Sequence, residues 1–134
     1  MNIPFTPPPK TPVPILQDLI SAYKLWHEYA KNLPQGSRYT LGTRITNLFV
    51  ETVELLFCAT YAIKEQKLAY LRQAAIKLDL LKFLLQVAWE LKDIKTNNYA
   101  TLFEPLAEIG RKLGGWIRRV ESEIKTPATM DGRK

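Results

Sequence analysis

Side chains that bind metals or carry redox chemistry are scarce. The chain has one cysteine, Cys58, and one histidine, His27. A single cysteine excludes an internal disulfide and fits a reducing compartment, so the cytoplasm is the expected location. Cys58 sits in an apolar helical stretch and is expected to be a small core residue. One histidine leaves no His/Cys set at zinc spacing, and none of the Glu-x-x-His pairs of a di-iron bundle. Glu51 and Glu54 lie three apart, an arrangement expected on a solvated helix edge. No glycine-rich phosphate loop and no nucleophile elbow occurs, and Ser21, Ser37 and Ser122 have no evident His and Asp companions. No cofactor and no enzymatic activity are therefore expected. No apolar run approaches the roughly 20 residues of a membrane span, so no membrane partner is expected. The first residues lack the basic start and long apolar centre of a signal peptide. No stretch alternates with period two, which argues against a sheet.

Acid is also in short supply. Nineteen Lys and Arg face thirteen Asp and Glu, giving a net charge of +6 and a pI near 9.5. A basic excess of this kind favours anionic partners such as nucleic acid.

What the chain does have is helix. The run Lys67–Lys95, KLAYLRQAAIKLDLLKFLLQVAWELKDIK, contains no Gly or Pro and is rich in good helix formers. Leu71, Ala74, Leu78, Leu81, Leu85 and Ala88 recur at steps of three and four. A second stripe, Ile76, Leu80, Phe83, Val87 and Ile94, runs beside the first. One narrow polar strip, Arg72, Asp79, Lys82, Gln86, Glu90 and Asp93, spans about 100° of the circumference, and most of the helix surface is apolar. Such a helix is either central in its bundle or part of a subunit interface, and the second is the preferred expectation.

The remainder reads as three further helices. Six of the nine prolines lie at or before Pro14, so residues 1–13 are expected to form an extended or mobile arm. Helix spacing over Ile15, Leu16, Leu19, Tyr23, Trp26 and Ala30 predicts a first helix from Pro14 to Asn32. It should end at the Leu33-Pro34-Gln35-Gly36 turn. Ser37 is the expected N-cap of a second helix, Arg38 to Glu65. Within that helix Leu41, Ile45, Leu48, Thr52, Leu55, Ala59 and Ala62 form one stripe. Phe49, Val53, Leu56, Thr60 and Ile63 form another. Gly42 either fits a close backbone approach or marks a fraying first turn. The polar segment Lys64–Lys67 is expected to carry the turn into the third helix. Thr96, Asn97 and Asn98 should cap a fourth helix, Tyr99 to Ile124, in which Pro105 should kink the helix or displace its start. Its face is Leu102, Leu106, Ile109, Leu113, Trp116, Val120 and Ile124. Gly114-Gly115 should let a neighbouring helix approach beside Trp116. Residues 126–134 read as a tail, and 14–125 as one all-α domain, an antiparallel up-down-up-down four-helix bundle.

The basic residues supply the candidate nucleic-acid contacts. Lys64, Lys67 and Arg72 cluster at the second turn and the start of the third helix. Lys92 and Lys95 lie at that helix's end. Arg111, Lys112, Arg118 and Arg119 run along the fourth helix. Such side chains neutralise phosphates and give salt-dependent affinity independent of sequence. Basic charge late in a helix also complements the macrodipole.

Three segments carry a family resemblance: LWHEYAKNLPQGSRYTLGTRI, LDLLKFLLQVAWELK and FEPLAEIGRKLGGW. Together they resemble the bacterial four-helix-bundle family that includes proteins encoded in intervening sequences of 23S ribosomal RNA genes. Within it, the match is to the accessory variability determinants of diversity-generating retroelements. The resemblance covers about Leu25 to Trp116. It implies a homopentameric barrel with a positive surface that binds the element's reverse transcriptase and RNA or DNA, and so supports mutagenic cDNA synthesis. Five copies would carry roughly +30. An oligomeric adaptor that makes protein–protein contacts alone is the alternative reading.

Overall fold

The computed structural model describes Pro4 and residues 13–125. Most of the expected N-terminal arm, and all of the expected tail, lie outside the described residues. Four long helices and one single-turn helix follow in order: α1 Pro14–Ala30, α2 Gln35–Arg38, α3 Leu41–Tyr61, α4 Lys64–Glu90 and α5 Thr96–Lys125. No strand occurs among the described residues. α1 packs on α3 and α5, and α4 packs on α3 and α5. The long helices thus form a four-membered ring of alternating direction. Val13, the α3–α4 turn and Lys125 share one end, the terminal end. The α1–α3 connection and the α4–α5 turn lie at the far end.

The heptad-like stripes form the core. Leu71, Ala74, Leu78, Leu81, Leu85 and Ala88 of α4 are all buried. Leu102, Leu106, Ile109, Leu113 and Val120 of α5 meet them across the core. Each fully buried Leu or Ile contributes about 1.5–3 kcal/mol relative to exposure. Trp26 and Phe49 stack between α1 and α3 at 6.4 Å, and the Trp26 indole donates to Thr46 Oγ1 at 2.9 Å, which satisfies its buried N–H. Thr52 is the one polar residue in the core among those described. Its hydroxyl donates to the Leu48 carbonyl at 2.6 Å.

The second stripe of α4 has a different fate. Ile94 falls beyond the end of α4 and is buried, but Ile76, Phe83 and Leu80 are 68%, 56% and 37% exposed. They lie on the side of α4 opposite its core stripe. On α3, Val50, Phe57 and Tyr61 are likewise exposed. Cys58 is exposed rather than a core residue. It lies beside Phe57, outside the arc through Leu48, Thr52, Leu56 and Ala59.

The junctions differ from expectation in instructive ways. Ser37 does not cap a long second helix. It lies in α2, and α3 begins at Leu41 after Thr40. Gly42 explains the break: a Cβ there would stand 2.8 Å from Leu33 Cδ1 and 3.3 Å from the Ser37 carbonyl oxygen. The close approach is what Gly42 allows. The Arg38 guanidinium donates to the carbonyls of Lys31 and Leu33, where the chain leaves α1.

Lys64–Lys67 is the first turn of α4, not a connection. Ala62 and Ile63 alone make the turn, both in extended backbone. At the far end α4 stops at Glu90, five residues early. Lys92 adopts φ 64°. The Asp93 amide donates to the Ala88 carbonyl and the Lys92 amide to the Trp89 carbonyl, each at 2.9 Å. These are the two bonds of a Schellman ending, with lysine where glycine is usual. Thr96, Asn97 and Asn98 are inside α5, whose first helical bond runs from the Tyr99 amide to the Lys95 carbonyl. Pro105 lies within the continuous helix and does not displace its start.

Candidate nucleic-acid interface

The nine basic residues singled out in the sequence separate into occupied and unoccupied groups. Lys67 is occupied. Its ammonium donates to the carbonyls of Ala59 at 2.6 Å and Thr60 at 3.3 Å, and lies 5.9 Å from the Trp116 ring centre. It closes the C-terminal end of α3, where the Ala59 carbonyl otherwise accepts only from the Ala62 amide at 3.5 Å. Arg72 bridges α4 to α5 through Glu121 at 2.6 Å. Arg111 pairs with Glu108 one turn before it. Lys112 crosses to α1 and pairs with Asp18 at 2.7 Å. The hydrogen bond and charge of Asp18 raise its pKa. Lys64, Lys92, Lys95, Arg118 and Arg119 are exposed and pair with no acid among the described residues.

Helix geometry divides the α5 run further. Arg111, Arg118 and Lys125 recur at seven-residue steps and share one stripe. Lys112 and Arg119 lie about 100° round the helix, towards α1. The Arg118 guanidinium folds back over the glycine pair. A Cβ at Gly114 would stand 3.6 Å from its Nη1, and one at Gly115 3.9 Å from its Nη2. No side chain of another helix comes within 4 Å of either position. The glycines accommodate an arginine and not a neighbouring helix. Arg119 and Lys112 instead line a cleft of about 590 Å³ with Val13, Pro14, Ile15, Gly115 and Trp116.

The bundle therefore brings Lys64, Arg118 and Arg119 to the terminal end and leaves Lys92 and Lys95 at the far end. Lys125 is exposed in the last turn of α5 and belongs with the first group, although composition alone did not single it out. Its seven-residue spacing from Arg118 was the available signal. The far end also holds an aromatic stack. Trp89 and Tyr99 are nearly parallel, 12° apart at 5.2 Å, and Phe103 follows at 5.6 Å. Burial, then the charge of Glu90, raises the Tyr99 pKa. Among the described residues no group of three or more His, Cys, Asp or Glu is placed to hold a metal ion. No described helix is long and apolar enough to cross a membrane.

Comparison with known proteins adds one positive result. A family model described as bAvd-like matches residues 15–120, the four long helices almost entire. No curated protein matches the chain.

Proposed function

The chain belongs to the bAvd-like family, and on that premise we propose that it is a non-enzymatic accessory protein of a diversity-generating retroelement. In this reading it binds the element's reverse transcriptase and its template RNA or cDNA, and works in the cytoplasm as a scaffold for mutagenic cDNA synthesis. The observation that carries the nucleic-acid part is the group Lys64, Arg118 and Arg119. These cations are held at one end of a rigid bundle, exposed, and without an acid partner among the described residues. Solvated, unneutralised cations are free to replace counterions on a phosphate backbone. The exposed apolar stripe Ile76, Leu80 and Phe83 supports assembly of several copies, which the family resemblance makes five.

Light-scattering mass after size exclusion, with and without a short RNA–DNA hybrid at low and moderate salt, tests both parts. The expected result is a mass near five chains and hybrid binding that weakens as salt rises. Arg118→Glu with Arg119→Glu should weaken hybrid binding at least tenfold while the helical signal in circular dichroism stays unchanged. Undiminished binding by the folded double variant removes these two residues from the site. An oligomer that ignores the hybrid at every salt favours the protein-only adaptor. The groove lined by Leu16, Ile20, Val53 and Phe57 gives that reading its own support, as a place for another protein.

A further inference from the structure

The α4–α5 turn, at the end away from Arg118, combines three features that the packing of the core does not require. The first is the aromatic stack. The Trp89 indole is pinned by donation to Thr96 Oγ1 at 3.0 Å and lies nearly parallel to Tyr99. The second is a cavity of about 500 Å³ lined by Trp89, Glu90, Lys92, Ile94, Lys95 and Thr96. Trp89 is both a wall of this cavity and the partner of Tyr99, which does not line it. The third is charge. Lys92 and Lys95 are exposed and without acid partners among the described residues. The cavity's own acid, Glu90, accepts from Gln86 at 2.9 Å.

Lys92 is the most informative of these residues. It stands at φ 64°, where glycine is the usual occupant. A strained non-glycine position held by the surrounding structure points to what its side chain does. Here the αL turn brings Lys92 and Lys95 to the same cavity rim, on either side of buried Ile94.

We propose that this cavity takes an unpaired nucleobase from a single-stranded polynucleotide. The base lies against the Trp89 indole and the flanking phosphates meet Lys92 and Lys95. The volume is in the range of small-ligand sites. A fixed aromatic face beside cations is the combination that holds single strands without reading their sequence. A duplex keeps its bases stacked inside and has none to offer. The inference rests on the reading that this chain binds nucleic acid. It adds a second contact, selective for single strands, at the end away from Arg118 and Arg119.

The test compares a labelled short oligothymidylate with a blunt duplex of equal length, by fluorescence anisotropy over a salt series. Lys92→Gly with Lys95→Gln removes both charges and relieves the backbone at position 92, so the fold is not at risk. For this variant the slope of log K against log salt should fall by roughly 1.4 with the single strand, the contribution of two phosphates. Duplex binding should be unchanged. Trp89→Leu should weaken single-strand binding about tenfold. Because Trp89 also anchors Thr96, a second readout avoids that substitution. In a Trp116→Phe protein the two remaining indoles are buried Trp26 and Trp89, and oligothymidylate should quench Trp89 emission. Unaltered single-strand binding by the lysine variant, equal losses for strand and duplex, or no quenching would overturn the site while leaving the proposed function standing. A wild-type protein that binds neither probe would overturn both.

Discussion

At the scale of single residues, backbone conformation decides where substitutions help and where they harm. Lys92 sits in the left-handed region, which disfavours a side chain by about 1–2 kcal/mol relative to glycine. Part of that is offset by a cation near the C-terminal end of α4. Lys92→Gly is therefore expected to stabilise the protein by about 1 kcal/mol, raising the melting temperature by roughly 3–5 °C. A melting point that falls would mean that the lysine makes a contact worth more than the strain. Two glycines around α2 behave oppositely. A Cβ at Gly36 meets nothing within 4 Å, whereas one at Gly42 meets Leu33 and the Ser37 carbonyl. Gly36→Ala should be neutral or stabilising by about 0.5 kcal/mol. Gly42→Ala should lower stability by about 1 kcal/mol, since overpacking outweighs the propensity gain of alanine. Denaturant melts of the two variants separate these outcomes.

At the scale of elements, most of the fold was legible. Every member of the principal α4 stripe from Leu71 to Ala88 is buried, because period and burial share one cause. The junctions were less legible. Composition marks Lys64–Lys67 as a turn, yet these residues form the first turn of α4. There Glu65 suits the positive end of the helix dipole and Lys67 reaches back to α3. A two-residue extended turn without glycine or proline leaves no compositional trace. The Schellman ending at Lys92 hides for the same reason, since lysine stands where glycine would have announced it. Candidate site residues suffered most. Nothing in the one-dimensional run Arg111, Lys112, Arg118, Arg119 says that the first two carry acid partners and the last two do not. Lys67 gives a direct test of the distinction. Lys67→Ala should cost about 1–2 kcal/mol of stability by leaving the Ala59 and Thr60 carbonyls without their ammonium partner. It should leave affinity for a nucleic acid nearly unchanged. A folded variant of full stability and weak binding would reverse the assignment.

At the scale of the whole molecule, α4 carries apolar residues on two opposite sides, and the bundle covers one. Ile76, Leu80 and Phe83 form a row along the other, a pattern that isolated surface residues do not make. Each large apolar side chain brought out of water contributes about 1.5–3 kcal/mol. If the chain assembles as proposed, Ile76→Asp with Phe83→Asp should therefore reduce the mass measured by light scattering from several chains to one. The helical content of the subunit should survive, since neither residue belongs to the core. A variant that keeps the full assembly would move the interface elsewhere, with the α3 residues Val50, Phe57 and Tyr61 as the next surface to test.

The alternating helix directions place Val13 and Lys125 at the same end of the bundle, and Val13 shares a cleft with Trp116 and Arg119 of α5. The order of the helices along the chain is consequently separable from their arrangement in space. A short glycine–serine bridge from Lys125 to Val13 would let the polypeptide be opened anew between Tyr39 and Thr40. The permuted molecule would then begin with α3 and finish with α1 and the single turn of α2, while retaining every core contact. Its new ends would emerge beside the α4–α5 turn, so a tag or a fused protein would be carried there and the end that holds Arg118 and Arg119 would be left without a chain terminus.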